Sequence, residues 1–269
     1  MPELPEVETT KRGISPHSIG QRIVKVIVRH KKLRWPVDQK ALNLLKGKEI
    51  FACTRRGKYL ELQTDKGSIL IHLGMSGSLR IITNEEVGKH DHVDIVLSNG
   101  KSIRYNDPRR FGCVVFNQEG DEHRLLANLG VEPLSDDFDN EFLFRQSKKR
   151  SIPIKAFIMN GKIVVGVGNI YAQEALFNSG IHPNRPASKV SKKRYTKLTQ
   201  NIRTVLNEAI KAGGSSLKDF TDADGKPGYF QQTLHVYGRK DEACVICKRK
   251  LKQIIIGQRS TVFCSGCQT

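Results

Sequence analysis

The sequence predicts an α+β protein of two domains: a β-sandwich with flanking helices, followed by a helical domain that closes on a cysteine-bearing hairpin. Three observations predict it. Short β-branched runs separated by turn residues fill residues 19–116. Helical periodicity takes over beyond a turn-rich, acidic stretch at 130–137. Two Cys-x-x-Cys pairs bracket the last β-like segment. A chain of 269 residues holds roughly two domains of about 100–200 residues. Boundaries are expected at 1–130, 131–230 and 231–269, the last a small metal-stapled finger.

The first helix is expected over 5–12. Pro5 suits its first position, Glu6 and Glu8 face the positive end of the dipole, and Gly13 reads as a stop. A second helix is expected at 38–45. Strands are expected at 23–28, 59–63, 68–72, 78–82, 93–97, 102–105 and 113–117, with Asn99-Gly100 as a hairpin turn. Helices then follow at 138–148, 154–159, 170–179, 191–212 and 216–220. Segment 145–155 holds five basic residues and no acid, an electrostatic footprint.

Lys and Arg total 45 against 27 Asp and Glu, a net charge of +18. Such a surplus favours a polyanion, because each neutralised phosphate releases a counterion; charge alone does not separate DNA, RNA and anionic membrane surfaces. No run reaches the about 18 apolar residues that span a bilayer. The acidic, proline-bearing N-terminus is unlike a signal or transit peptide, so a cytosolic protein is expected. No oligomerisation seam is visible, and a monomer is expected.

Cys244, Cys247, Cys264 and Cys267 have the two-knuckle spacing of a Zn²⁺ site. Four thiolates leave no open position, so the metal is a staple and not a catalyst. Cys53 and Cys113 read as small apolar filler. Between the knuckles, 257–263 reads as a hairpin with Arg259 near its turn, placed to reach a phosphate.

Removal of Met1 would leave Pro2 as a secondary amine. An α-amino group titrates near about 7.7–8.0, so a neutral fraction exists at pH 7. Condensation with a sugar C1′ gives an iminium, an electron sink that acidifies C2′–H and permits loss of the C3′ phosphate. Glu3 could protonate the opening ring.

The string Met1-Pro-Glu-Leu-Pro-Glu-Val-Glu8 resembles the start of the formamidopyrimidine-DNA glycosylase family. The resemblance continues through Arg55-Arg-Gly-Lys58-Tyr59, His72-Leu-Gly-Met75-Ser-Gly77, Lys89-His90-Asp-His92, Asp107-Pro-Arg109-Arg110-Phe111-Gly112, Gly166-Val-Gly-Asn169-Ile-Tyr171, Gly225-Lys-Pro-Gly228, Val236-Tyr-Gly-Arg239 and the cysteine finger. It implies a helix-two-turns-helix domain within 131–230. It also implies a bifunctional glycosylase and AP lyase acting on duplex DNA that contains oxidised purines or abasic sites. Pro2 becomes the nucleophile and Glu3 its acid/base partner. Lys58 and Arg259 become the residues associated with β- and δ-elimination, although a lysine there could equally clamp a phosphate. Met75, Arg110 and Phe111 fill the gap left by the everted nucleotide. His90, Arg109, Arg150, Asn169 and Lys155 contact DNA, and 215–229 covers the flipped base.

Two other functions are compatible with parts of this pattern. An endonuclease VIII-type enzyme for oxidised pyrimidines shares the Pro-Glu start but usually has glycine where this chain has Leu4. A non-catalytic zinc-finger binder of distorted DNA would share the charge and the finger; Pro2, Glu3 and Lys58 argue against it.

Overall fold

The computed structural model describes residues 2–214 and 234–269; the helix expected at 216–220 and the loop expected at 215–229 lie outside the described residues. Two compact units are present, one built on 2–127 and the other on 128–211 and 234–269.

In the first unit, α1 (Leu4–Ser18) precedes β1 (Ile23–Val28), α2 (Gln39–Leu42), β2 (Ala52–Arg56), β3 (Tyr59–Thr64), β4 (Gly67–His72), β5 (Ser78–Ile82), β6 (Asp91–Leu97), β7 (Ser102–Asn106) and β8 (Cys113–Gln118). Two four-stranded antiparallel sheets form, ordered β1-β6-β7-β5 and β2-β3-β4-β8. Strand β3 alternates half-buried and buried positions, so Leu60 and Leu62 point inward. They meet Ile69, Ile71, Ile95, Ile103 and Val114 in one core that also takes Val7 and Ile14 from α1. Each such aliphatic side chain contributes about 1.5–3 kcal/mol on burial.

Helix α1 outruns its expected end. It continues past Gly13 and through Pro16, because Ile14 is fully buried and the Ser15 and Ser18 hydroxyls donate to the carbonyls of Lys11 and Ile14. Strand β2 was not expected: Ala-Cys-Thr-Arg-Arg has little apolar alternation and becomes a strand by pairing with β3, Cys53 opposite Leu62.

The second unit holds α3 (Phe142–Ser147), α4 (Ile154–Ile158), α5 (Asn169–Asn178), α6 (Lys192–Lys211) and the hairpin β9 (Lys252–Ile256)–β10 (Arg259–Phe263). Helix α3 starts four residues later than expected, since Asp139 accepts from the Glu141 N–H at 2.8 Å and turns the chain before the helix. Helix α6 buries Tyr195, Leu198, Ile202, Val205, Leu206 and Ala209, a stripe at helical spacing.

The sandwich also buries an ion cluster. The Asp94 carboxylate accepts from Arg104 Nε and Nη2, each at 2.9 Å, and from Arg29 Nη2 at 2.6 Å. Burial pushes this carboxyl up, but the hydrogen bonds from Arg104 and Arg29 outweigh it and hold it below the usual range. Asp94→Asn should cost about 3–5 kcal/mol in urea unfolding at pH 7. An unfolded aspartate protonates near about 3.9, so the contribution is whole above that pH and is lost as pH falls through the lower folded value. Wild-type stability should therefore fall more steeply than that of the variant below about pH 4.

Candidate functional site

Pro2 and Glu3 lie immediately ahead of α1, both buried, with Glu3 only 2% exposed. Glu3 is the N-cap, and Glu6 reaches back to accept its backbone N–H at 2.8 Å, one arm of a capping box. Farther along α1, Glu8 accepts from Arg55 Nε at 3.0 Å and pairs with Lys11 and Arg12. Burial raises its carboxyl, but these three cations outweigh burial and the net shift is downward. Arg55 also donates through Nη1 to the Gly57 carbonyl at 2.9 Å. The chain Glu8–Arg55–Gly57 thus ties the helix behind Pro2 and Glu3 to the β2–β3 turn that carries Lys58. Burial, then the charges of Lys58 and Arg34, push the His72 imidazole down to about 4. Its Nδ1 accepts the Gly74 N–H at 2.9 Å, which fixes the start of the next loop.

Met75 and Phe111 sit on two loops that meet backbone to backbone. A Cβ on Gly74 would overlap Phe111 and Gly112, and one on Gly112 would overlap the Tyr105 hydroxyl and the His72 carbonyl. The fully buried Asp107 holds the pair together. Its carboxylate accepts from Tyr105 Oη at 3.0 Å, the Gly112 N–H at 2.9 Å, Ser76 Oγ at 3.3 Å and the Arg109 N–H at 3.3 Å. Phe111 is 45% exposed, Met75 is half-buried, and the Arg109 guanidinium stacks 4.8 Å from the Phe111 ring centroid. Arg110, expected in that company, turns away: its φ is 57°, and its Nη1 lies 2.9 Å from His30 Nε2. His90 is half-buried, and its carbonyl accepts the Asp107 N–H at 3.0 Å.

In the second unit, Gly168 caps α5 and Asn169 is its first residue. Such a helix start offers backbone N–H groups to an anion. Arg150 is exposed beside Lys149, whose φ is 63°. Arg259 is exposed and opens β10 after Gly257 and Gln258, both at positive φ, the two-residue turn that tight hairpins use. Lys155, expected to contact DNA, packs against the finger strand. It is 1% exposed, and its Nζ donates to Thr261 Oγ1 at 2.6 Å and the Ser260 carbonyl at 3.4 Å. Asn169 Nδ2 and Gln173 Nε2 donate to that same carbonyl at 3.3 and 3.2 Å, while Gln173 Oε1 accepts the Val262 N–H at 2.6 Å. The finger strand is therefore docked on α4 and α5.

Glu174, absent from the expected set, accepts from the backbone N–H groups of His235, Val236 and Tyr237 at 2.8–3.0 Å. Asp107 has a legible signal, an acid opening the glycine-bearing motif 107–112, whereas Glu174 lies mid-helix in α5 and has none. Gln173 has none, because its partners are main-chain atoms far along the chain.

The four cysteine sulfurs lie within 4.8 Å of one another, with Cys244–Cys267 at 3.9 Å and Cys247–Cys264 at 3.4 Å. A tetrahedral ion with Zn–S bonds of about 2.3 Å needs sulfurs about 3.8 Å apart, so the residues fit Zn²⁺. Bound there, the metal supplies a cross-link and no reaction chemistry.

Residues 1–114 match the formamidopyrimidine-DNA glycosylase N-terminal domain and residues 129–221 the formamidopyrimidine-DNA glycosylase H2TH domain. The formamidopyrimidine-DNA glycosylase of Stutzerimonas stutzeri is 53% identical over 269 residues, covering 100% of both chains. That of Colwellia psychrerythraea is 54% identical, covering 100% of this chain and 99% of its own. The crystal structure of MutM (Fpg) from Thermus thermophilus superimposes with a TM-score of 0.90 at 38% identity, covering 99% of this chain and 98% of that one. A Lactococcus lactis Fpg bound to abasic-site DNA gives 0.92 at 32% identity, covering 99% of each chain.

Purified protein should carry about one zinc per chain. Its removal by chelation should unfold the finger and lower affinity for lesion duplex at least tenfold, leaving the first unit's thermal transition in place; unchanged DNA affinity after verified zinc loss refutes this.

Proposed function

The chain belongs to the formamidopyrimidine-DNA glycosylase family, and from that membership and the geometry at its N-terminus we infer a base-excision repair enzyme. It removes oxidised purines, 8-oxoguanine and formamidopyrimidines, from duplex DNA and then cuts the strand as an AP lyase. The observation that carries the residue assignment is the buried Pro2-Glu3 pair at the start of α1, linked by Glu8, Arg55 and Gly57 to the turn of Lys58.

The Pro2 amine, freed by removal of Met1, attacks C1′ as the damaged base departs, and Glu3 donates the proton that opens the sugar ring. The resulting iminium acidifies C2′–H, so loss of that proton expels the 3′ phosphate, and a second elimination expels the 5′ phosphate. Lys58 serves the first of these as a proton carrier beside a neutral His72. Arg259 serves the second as a phosphate fork, since a guanidinium is a poor acid. The gap in the duplex is filled by Met75, Phe111 and Arg109, the arginine stacked on that ring, in place of Arg110. His90, Arg150 and Asn169 bind backbone phosphates. Lys155 supports Arg259 through β10.

The sandwich, 1–130, carries the catalytic N-terminus; 131–230 and the finger, 231–269, supply grip. No helix among the described residues is long and apolar enough to cross a membrane. A cytoplasmic monomer, at the nucleoid when bound to DNA, fits these features.

A duplex with one 8-oxoguanine should be cut to leave phosphates on both fragments, and borohydride should trap a covalent complex. Acetylating the N-terminus should abolish trapping; full trapping with a blocked amine would reject Pro2. Lys58→Ala should slow β-elimination at an abasic site by about 10²-fold, and Arg259→Ala should weaken lesion binding about tenfold.

A further inference from the structure

Two histidines grip the loop that carries Arg109 and Phe111, and they do so as opposite ring tautomers. The Asp107 carbonyl, at the loop's entry, lies 2.9 Å from His92 Nε2; a carbonyl only accepts, so His92 donates and carries its proton on Nε2. The Arg110 guanidinium, at the loop's apex, lies 2.9 Å from His30 Nε2. A guanidinium only donates, so His30 accepts there and carries its proton on Nδ1. His30 is itself fixed, its ring 5.2 Å from that of His92 and its backbone N–H on the His92 carbonyl at 3.4 Å.

We propose that His30 is a positioning residue for the loop at 107–112: when neutral, it holds Arg110 aside at a left-handed φ and so presents Arg109 and Phe111 to the duplex. This rests on the DNA-repair function inferred above.

Protonation treats the two grips differently. A protonated His92 still donates to Asp107. A protonated His30 has no acceptor left and sets a second cation against Arg110. The charged and titratable groups around His30 are Arg29, Lys31 and Lys32 on its own segment, His90, His92 and Asp94 from β6 and its approach, and Asp107, Arg109 and Arg110 from the loop. Asp94 is shared between Arg104 and Arg29, and the Asp107 carboxylate is committed to Tyr105 and Gly112. The groups left facing the His30–Arg110 contact are predominantly cationic.

Acid raises the affinity of any basic protein for DNA, so the measurement is a ratio: affinity for a tetrahydrofuran-containing duplex over affinity for the undamaged duplex. The general charge effect is common to both and cancels. Wild-type protein should lose at least about threefold of this ratio between pH 8 and pH 5.5. His30→Asn, which keeps an acceptor that does not titrate, should hold the high-pH ratio throughout. His30→Leu should show the low ratio at every pH, and adding it to Arg110→Ala should change nothing further. A pH-independent ratio in wild-type protein that still incises 8-oxoguanine duplex, or a His30→Leu ratio equal to wild type, overturns the positioning role alone. A wild-type protein that neither prefers the tetrahydrofuran duplex nor incises overturns the repair function with it.

Discussion

A carboxylate with no exposed surface, that of Asp107, organises the two loops that carry Met75 and Phe111. Its oxygens accept from a tyrosine hydroxyl in the sandwich, from the Gly112 and Arg109 backbone, and from Ser76 on the opposite loop. Burying an ionised group is costly unless every lone pair is used, and here the donors come from both loops at once. Neither loop can relax alone without stranding the charge. The glycines at 74 and 112 meet the same constraint from the steric side, because the backbones approach too closely for any Cβ. Rigid loops suit the gap-filling role proposed for Met75 and Phe111, since disorder in the free protein must be removed on binding.

Much of this was legible in the sequence. The strands of the sandwich, the amphipathic stripe of α6 and the cysteine spacing follow local rules of period, turn and chelation, and they stand where those rules put them. Strand β2 escaped because its identity comes from the partner it pairs with. Helix α1 ran past Gly13 because the burial of Ile14 outweighs the cost of a mid-helix glycine. The residue types at the site were readable, but their allegiance was not. Arg109 and Arg110 are adjacent and chemically identical, and only backbone dihedral and neighbours send one to Phe111 and the other to His30. Lys155 carries a charge the sequence can read, but nothing local shows that its amine donates to Thr261 on the finger strand.

The excess of positive charge coexists with a small set of buried acids that act as internal supports. Glu6, Glu8, Asp94, Asp107 and Glu174 each organise backbone or arginine donors while showing little surface. Basic side chains such as Arg109, Arg150 and Arg259 are left outward. Segregation of this kind lets one chain be both well satisfied internally and strongly attractive to a polyanion.

The anchorage of the finger strand has a consequence for sequence drift. Lys155, Asn169 and Gln173 recognise the carbonyl at position 260, an atom every amino acid possesses. Ser260 can therefore be exchanged for other residues without loss of the dock, whereas replacing Gln173 removes two contacts together. Homologous chains should thus diverge freely at position 260 and be restrained at Thr261 and on the helix side of this joint.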